Sequence, residues 1–345
     1  MISLHDTSED IKEISKWGGI LIATIVTVVL LFKVGGNIKE VFWPTQKPGP
    51  TVCFDKLPDI NFPQNNVIEK FNYIIDTKSG NLPSFPDRVN IYDIIQPTPN
   101  FLDLSRAQEK TSRIGFREKG SLISDTLYRW TEETAPFREI KYDILSLDFS
   151  FTSNFMSDPD VLSGNPDESS SIPIAQSFLS DLNSFPIDID MAKTKTTLLS
   201  ISNSELIPAE KPSVANIIRV DFYPKDVDNT PLFFTHPPYS LINVLISDRE
   251  LGTKIVEVNF SHKNLGTKSC TYPIKTADKA FLELKSQKAY LASFPETGKE
   301  IPIKDAFLAY YVSENPQKYL IPVIVFRGEG FYAYVRAITD EWISK

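Results

Sequence analysis

The sequence predicts an α+β protein: an N-terminal transmembrane helix followed by consecutive small antiparallel-sheet modules, each packed by a helix. Three observations predict it. Residues 17–34 (WGGILIATIVTVVLLFKV) form one nearly uninterrupted apolar run with Lys33 as its single charge. Behind it, short segments alternate apolar and polar residues, which is the period of half-buried strands. Those segments recur in the order strand, helix, strand, strand.

Residues 1–16 read as a short cytoplasmic tail. Thr7 and Asp10 have capping-box spacing, and Glu9, Asp10 and Glu13 suit a helix N-terminus. Residues 17–43 hold the anchor and its exit. As a helix the apolar run would reach roughly 27 Å, close to the hydrocarbon thickness of a bilayer. Trp17, Ile20, Leu21, Ile25, Val28, Leu31 and Phe32 are its membrane-facing set, so the lipid bilayer is the first expected partner. Lys12 and Lys16 precede the run while Lys33, Lys39 and Lys47 follow it, so charge counting leaves the orientation open. A signal anchor is the simpler use of one early apolar segment before a long body. It places the N-terminus in the cytoplasm and the body outside a cell membrane crossed once. Cleavage after small residues such as Val34 and Gly36 is the alternative.

The chain has 345 residues, 41% of them hydrophobic, with Phe 23 and Tyr 13, enough for a sizeable core or for several small ones. Residues 44–66 carry scattered prolines and read as an extended stalk. A first module spans 67–156: strands VIEKFNYIIDT and RVNIYDII, a helix LDLSRAQEKTSRIGF ended by Gly115, then strands LISDTLYRWTE and REIKYDILSLDFSFT. In the last of these, Ile144, Leu145 and Leu147 are expected to continue into Phe149 and Phe151. The polar stretch MSDPDVLSGNPDESSS is a boundary. A second module, 172–270, opens on the helix IPIAQSFLSDLNSF and continues through four strand-like segments. In the third, 271–345, Thr276 is the expected N-cap of a helix carrying Ala280, Phe281 and Leu284. An antiparallel meander follows, with a GEG turn and with Pro322 marking a bulge or an edge.

The segments ADKAFLELKSQKAYLA, FLAYYVS and KYLIPVIVFRGEGFYAYVRAI carry a family resemblance. They resemble PepSY-like modules of extracytoplasmic bacterial proteins, above all membrane-anchored YycH/YycI-type regulators, with Tyr319, Leu320 and Pro322 matching a late-strand pattern. The stalk with PTVCFDKLPDINFP resembles single-pass bacterial envelope proteins. The resemblance implies a helix across a small antiparallel sheet and a protein-binding or regulatory module of the cell envelope with an envelope protein as partner. It implies no catalytic residue.

Chemistry-bearing motifs are sparse. The three histidines, His5, His236 and His262, have no metal spacing, and no HExxH, CxxC or GxSxG occurs. Gly328 and Gly330 flank a hairpin turn. Asp158, Asp160 and Gly164 do not complete a calcium loop, nor do Asp226 and Asp228. No catalytic, metal or cofactor site is therefore expected. A net charge of −8 with no basic run makes nucleic acid a poor partner. Cys53 and Cys270 are either two separate thiols or a disulfide. Alternation along FYAYVRAI sets Tyr332, Tyr334 and Arg336 on one face, the expected partner-contact set, and Phe331, Ala333 and Val335 on the other. An envelope hydrolase with its site at a module boundary and a structural spacer are the alternative functions.

Overall fold

The computed structural model describes residues 49–64, 70–132, 137–249, 254–295 and 298–344, together with Trp17, Leu21, Ala23, Thr24, Val26 and Thr27. It divides into two compact units, Met1–Gly49 and Pro50–Lys345. In the first unit the six described residues of the apolar run are helical, and Thr27 Oγ1 donates to the Ala23 carbonyl at 2.8 Å. Among the described residues no helix is long and apolar enough to cross a membrane. The expected transmembrane helix is therefore not found among the described residues; a span takes about 20 consecutive apolar helical residues, and most of the run lies outside them. Ile20, Ile25, Val28, Leu31 and Phe32 lie outside the described residues, as does the whole tail 1–16.

The second unit is mostly β. Its first part runs β1 (Asn72–Ile75), β2 (Arg88–Ile94), α1 (Asp103–Arg113), β3 (Ser121–Ser124), β4 (Leu127–Glu132), β5 (Arg138–Asp143) and β6 (Phe149–Ser153). Next come α2 (Pro159–Ser163), α3 (Glu168–Asp181), β7 (Lys195–Ser202), β8 (Glu205–Pro208), β9 (Ile217–Phe222), β10 (Leu232–Phe234), β11 (Ile242–Ile246), β12 (Ile255–Phe260) and β13 (Leu265–Pro273). The chain ends with α4 (Ala277–Lys285), β14 (Tyr290–Ser293), β15 (Glu300–Ile303), β16 (Asp305–Val312), β17 (Tyr319–Gly328) and β18 (Phe331–Arg336).

The strands do not form consecutive modules. Nine of them make one antiparallel sheet in the order β3-β4-β5-β6-β12-β11-β9-β7-β8. A seven-stranded sheet runs β10-β16-β17-β18-β14, with β2 joining β17 to β13. A parallel pair, β1 and β15, stands apart. Pairing therefore crosses both expected module boundaries: β6 lies beside β12, and β2, β10 and β13 belong to the C-terminal sheet. The physical reason is edge satisfaction. A strand with one apolar face and an open backbone edge gains more by joining a larger sheet than by ending a small one.

Local chemistry explains most elements. Thr276 Oγ1 caps α4 by accepting the Lys279 N–H, and Asp167 caps α3 by accepting from Ser169, so that helix begins four residues before the apolar pattern does. The two long strand-like runs between residues 121 and 153 are each a hairpin. Asp143 Oδ1 accepts the N–H groups of Leu145 and Ser146, at 2.9 and 3.0 Å, which turns the chain away from strand geometry. Ile144, Leu145 and Leu147 thus sit in a turn, and Leu147 has φ 66°.

One face of the nine-stranded sheet is dry. Ala175, Leu179 and Leu182 of the α3 region and Ala107 of α1 cover Ile140, Phe151, Ile218, Val244 and Val258. In the C-terminal sheet Ala280, Phe281 and Leu284 of α4 cover Ile324, Phe326, Ala333 and Val335. The opposite face is not open. Residues 50–64 strap across the unit, with Leu57 fully buried and hydrogen-bonded through its backbone to Trp342 and Ser344. Phe62 stacks on Tyr290 and also packs against Tyr311 and Tyr334, while Phe233 covers Tyr332. The expected stalk is docked. A disulfide between Cys53 and Cys270, Cα–Cα 5.8 Å, ties it to β13.

Candidate functional site

Part of the second face of the nine-stranded sheet is polar, beside an apolar patch in which Ile217 and Leu245 pack with Phe155 and Val161, and the sequence of its strands makes it so. Between the buried Ile218, Val220 and Phe222 of β9 stand Arg219 and Asp221, and Asn243 on β11 and Asn259 on β12 take the equivalent places. Register aligns these residues into a row: Asp221 opposite Asn243, Asn243 opposite Asn259, Asn259 opposite Ser150, and Ser150 opposite Lys141. Four strand spacings make that row about 19 Å long.

From Asn243 to Lys141 the row, with Arg219 beside it, floors a groove of about 1150 Å³. Its walls come from the end of β2 with Gln96 and Pro97, from the turn that holds Glu314 and Gln317, and from the segment 236–241. Leu127, Leu145, Leu147 and Ile95 form an apolar mouth, in which Leu147 is 47% exposed and Ile95 56%.

Arg219 is the most constrained group in the groove. Its Nε and Nη2 donate to the two carboxylate oxygens of Asp221, at 2.9 and 3.1 Å, and its guanidinium stacks 4.2 Å from the Tyr239 ring centroid. Asp221 is 1% exposed and also accepts the Ser240 N–H. This arrangement leaves Nη1 to the groove. Asn243 is committed, donating to Ser240 O and accepting from Asn259 Nδ2. Asn259 also donates to Glu257, which leaves its Oδ1 as a free acceptor.

Several other charged groups at the groove are held by partners, whereas Glu314 in the wall has no ion pair among the described residues. Lys263 Nζ donates to Asp148 at 3.0 Å and to Ser261 Oγ at 3.1 Å, so Ser261 is an acceptor here rather than a nucleophile facing a base. His262 Nε2 lies 2.9 Å from Asp188. Burial pushes the Asp188 carboxyl upward, but the hydrogen bond and charge of His262 outweigh it and hold the group below the usual carboxylate range. Lys141 pairs with Glu139. The floor offers hydrogen bonds and one prepositioned guanidinium rather than a strong field.

The expected contact set is not a surface. Tyr334 is fully buried and donates its hydroxyl to the Phe234 carbonyl at 2.9 Å; burial pushes its ionisation far up. Tyr332 is half-buried, and Arg336 is held by Asp59 and Asp340, each at 2.6 Å. The alternation along β18 is as the sequence implied, but both faces of this sheet are covered. Asp158 caps α2 and pairs with buried Arg249, Asp226 pairs with Lys193, and Asp228 accepts from Tyr92 and Asn90. His236 is an exposed groove residue, whereas His5 lies outside the described residues. Among the described residues no acidic, histidine or cysteine cluster could hold a metal ion. The groove residues Arg219, Asn243 and Asn259 escape motif reading. Their one sequence signal is a polar side chain at alternate places in RVDF and VEVNF and a lone asparagine in the otherwise apolar LINVLI.

No family model matches the chain, and no curated protein matches it. Among solved structures, it is similar to an uncharacterised protein from Eubacterium rectale, at 13% identity and TM-score 0.36, covering 79% of this chain and 85% of that one. It is also similar to the Bacillus megaterium YpeB C-terminal domain, at 11% identity and TM-score 0.32, covering 71% and 95%. Likenesses this loose carry no argument about fold or activity.

Proposed function

We propose that the protein is an extracytoplasmic binding module of the cell envelope, and that a segment of its protein partner lies in the groove beneath the seven-stranded sheet. The groove itself carries this reading. At about 1150 Å³ it exceeds the size that encloses a small molecule, and its floor is a continuous row of hydrogen-bonding side chains. The Cys53–Cys270 bridge supports an oxidising compartment. A distant PepSY-like relation of the C-terminal segment belongs to the same reading and rests on the order α4 then meander β16–β18.

Photocrosslinking tests it. A photoreactive residue placed at Tyr239 or at Asn259 should capture one envelope protein in cells, while the same residue at the exposed Lys279 of α4 should not. Equal capture from all three positions, or none from the groove, would remove the groove from the function. Cleavage of the captured partner would move the protein to the hydrolase class.

A further inference from the structure

Resting on that reading of the groove, we propose that its occupant is an extended peptide of about six residues, with a carboxylate over Arg219 and an aliphatic side chain at the Leu127–Leu145–Leu147 mouth. The two ends differ in chemistry. At one, Asp221 and Tyr239 hold a guanidinium in place and leave Nη1 unspent, which suits a carboxylate oxygen. At the other, Leu147 is kept half-exposed in a left-handed backbone conformation, φ 66°, that leucine disfavours. Neither burial nor local geometry accounts for a leucine there, and a strained, exposed apolar residue at the edge of a groove points to a ligand contact.

The spacing between the ends sets the length. Arg219 stands opposite Leu245, two residues along β9 from the row, and its guanidinium reaches back to Asp221. From there to the β5–β6 turn, across roughly three to four strand spacings and about three residues along the strands, is about 20 Å, which an extended chain covers in about six residues at 3.3 Å each. Between the ends the floor presents the Asn259 Oδ1 acceptor, the Ser150 hydroxyl and the Lys141 ammonium. Peptide N–H and C=O groups match such a mixture. A glycan would meet the polar floor equally well but would leave its hydroxyls against the leucines. Because Arg219 and Asp221 neutralise one another, recognition rests on directed hydrogen bonds and should weaken little with salt.

The test uses the full chain and an array of capped hexapeptides. Bound members should be enriched for an acidic residue at one end and leucine, isoleucine or valine at the other. Arg219→Gln should reduce the acidic preference at least tenfold and leave the aliphatic one. Leu147→Asn should do the reverse, and asparagine tolerates the left-handed backbone, so this variant keeps its fold. Arg219→Lys, which retains the charge next to buried Asp221, separates loss of the guanidinium fork from loss of folding and should recover only part of the preference. No enrichment, or enrichment that survives both Arg219→Gln and Leu147→Asn, would overturn the peptide assignment. Suppression of groove crosslinking by chitohexaose added before irradiation would overturn it in favour of a glycan. Groove crosslinks that persist while the array stays silent would sink this inference alone, whereas loss of the groove crosslinks would sink the binding reading as well.

Discussion

Tyr334 shows how a polar aromatic becomes a core residue. Its ring lies under Phe62 and Phe233, and its hydroxyl finds the Phe234 carbonyl, so nothing is left unsatisfied by burial. Tyr334→Ala should therefore destabilise the fold by about 3–5 kcal/mol in urea titrations, and a loss below 1 kcal/mol would show that the face is open after all. Leu147→Asn should act in the opposite direction. Relief of the left-handed strain is worth about 1 kcal/mol and would appear as a raised urea midpoint with unchanged slope. Buried tyrosines also set the alkaline limit. Burial pushes Tyr92, Tyr142 and Tyr290 up to about 12, with the Asp228 contact adding to the effect at Tyr92. Unfolded tyrosine ionises near 10, so above that pH the unfolded chain binds fewer protons than the folded one and stability falls as pH rises towards 12. Thermal melts at pH 9 and pH 11 should differ accordingly, whereas equal melting temperatures would show that these phenols ionise normally in the folded state.

At the scale of elements, the strap 50–64 decides which surfaces the C-terminal sheet presents. Its prolines keep it extended, its apolar residues fall on both sides of the sheet, and the disulfide closes a loop of sequence separation 217. In the chain-entropy model such a loop contributes about 5 kcal/mol. The double variant Cys53→Ala with Cys270→Ala should lose up to that amount, and reductant should slow the native protein on non-reducing gels. A variant as stable as the parent would mean that packing of Leu57 and Phe62 holds the strap unaided. The hairpin turns belong to this scale too. Asp143, reading as one polar residue in an alternating strand, uses its carboxylate to end that strand. Alternation over 121–153 identified strands correctly but could not count them, because a side chain that bonds its own backbone leaves the pattern unchanged.

The whole second unit is woven from distant segments. β17 receives β2, β16 receives β10, and α4 with the meander closes on the strap. The fragment 271–345 should therefore fail to fold alone. Its proton spectrum should lack dispersed methyl resonances, and a well-dispersed spectrum would restore the independent-module architecture. The groove exists only at this scale, since its floor comes from β5, β6, β9, β11 and β12 and its walls from segments of the other sheet.

By itself the sequence determined what depends on neighbours in the chain. The Thr276 cap, the helix 277–285, the end of the first helix at Gly115 with φ 103°, the GEG turn and the two faces of β18 all follow from backbone preference and short periods. Only the tertiary structure decided which strands pair, which sheet face is covered, and that Arg219, Asn259 and Leu147 line one groove. Alternation says that a strand has two unlike faces, but it carries no information about what lies across from them. Strand pairing is chosen by long-range burial and edge satisfaction, so the polar row became a groove when distant strands aligned in register, and the tyrosine face became core when the strap closed over it.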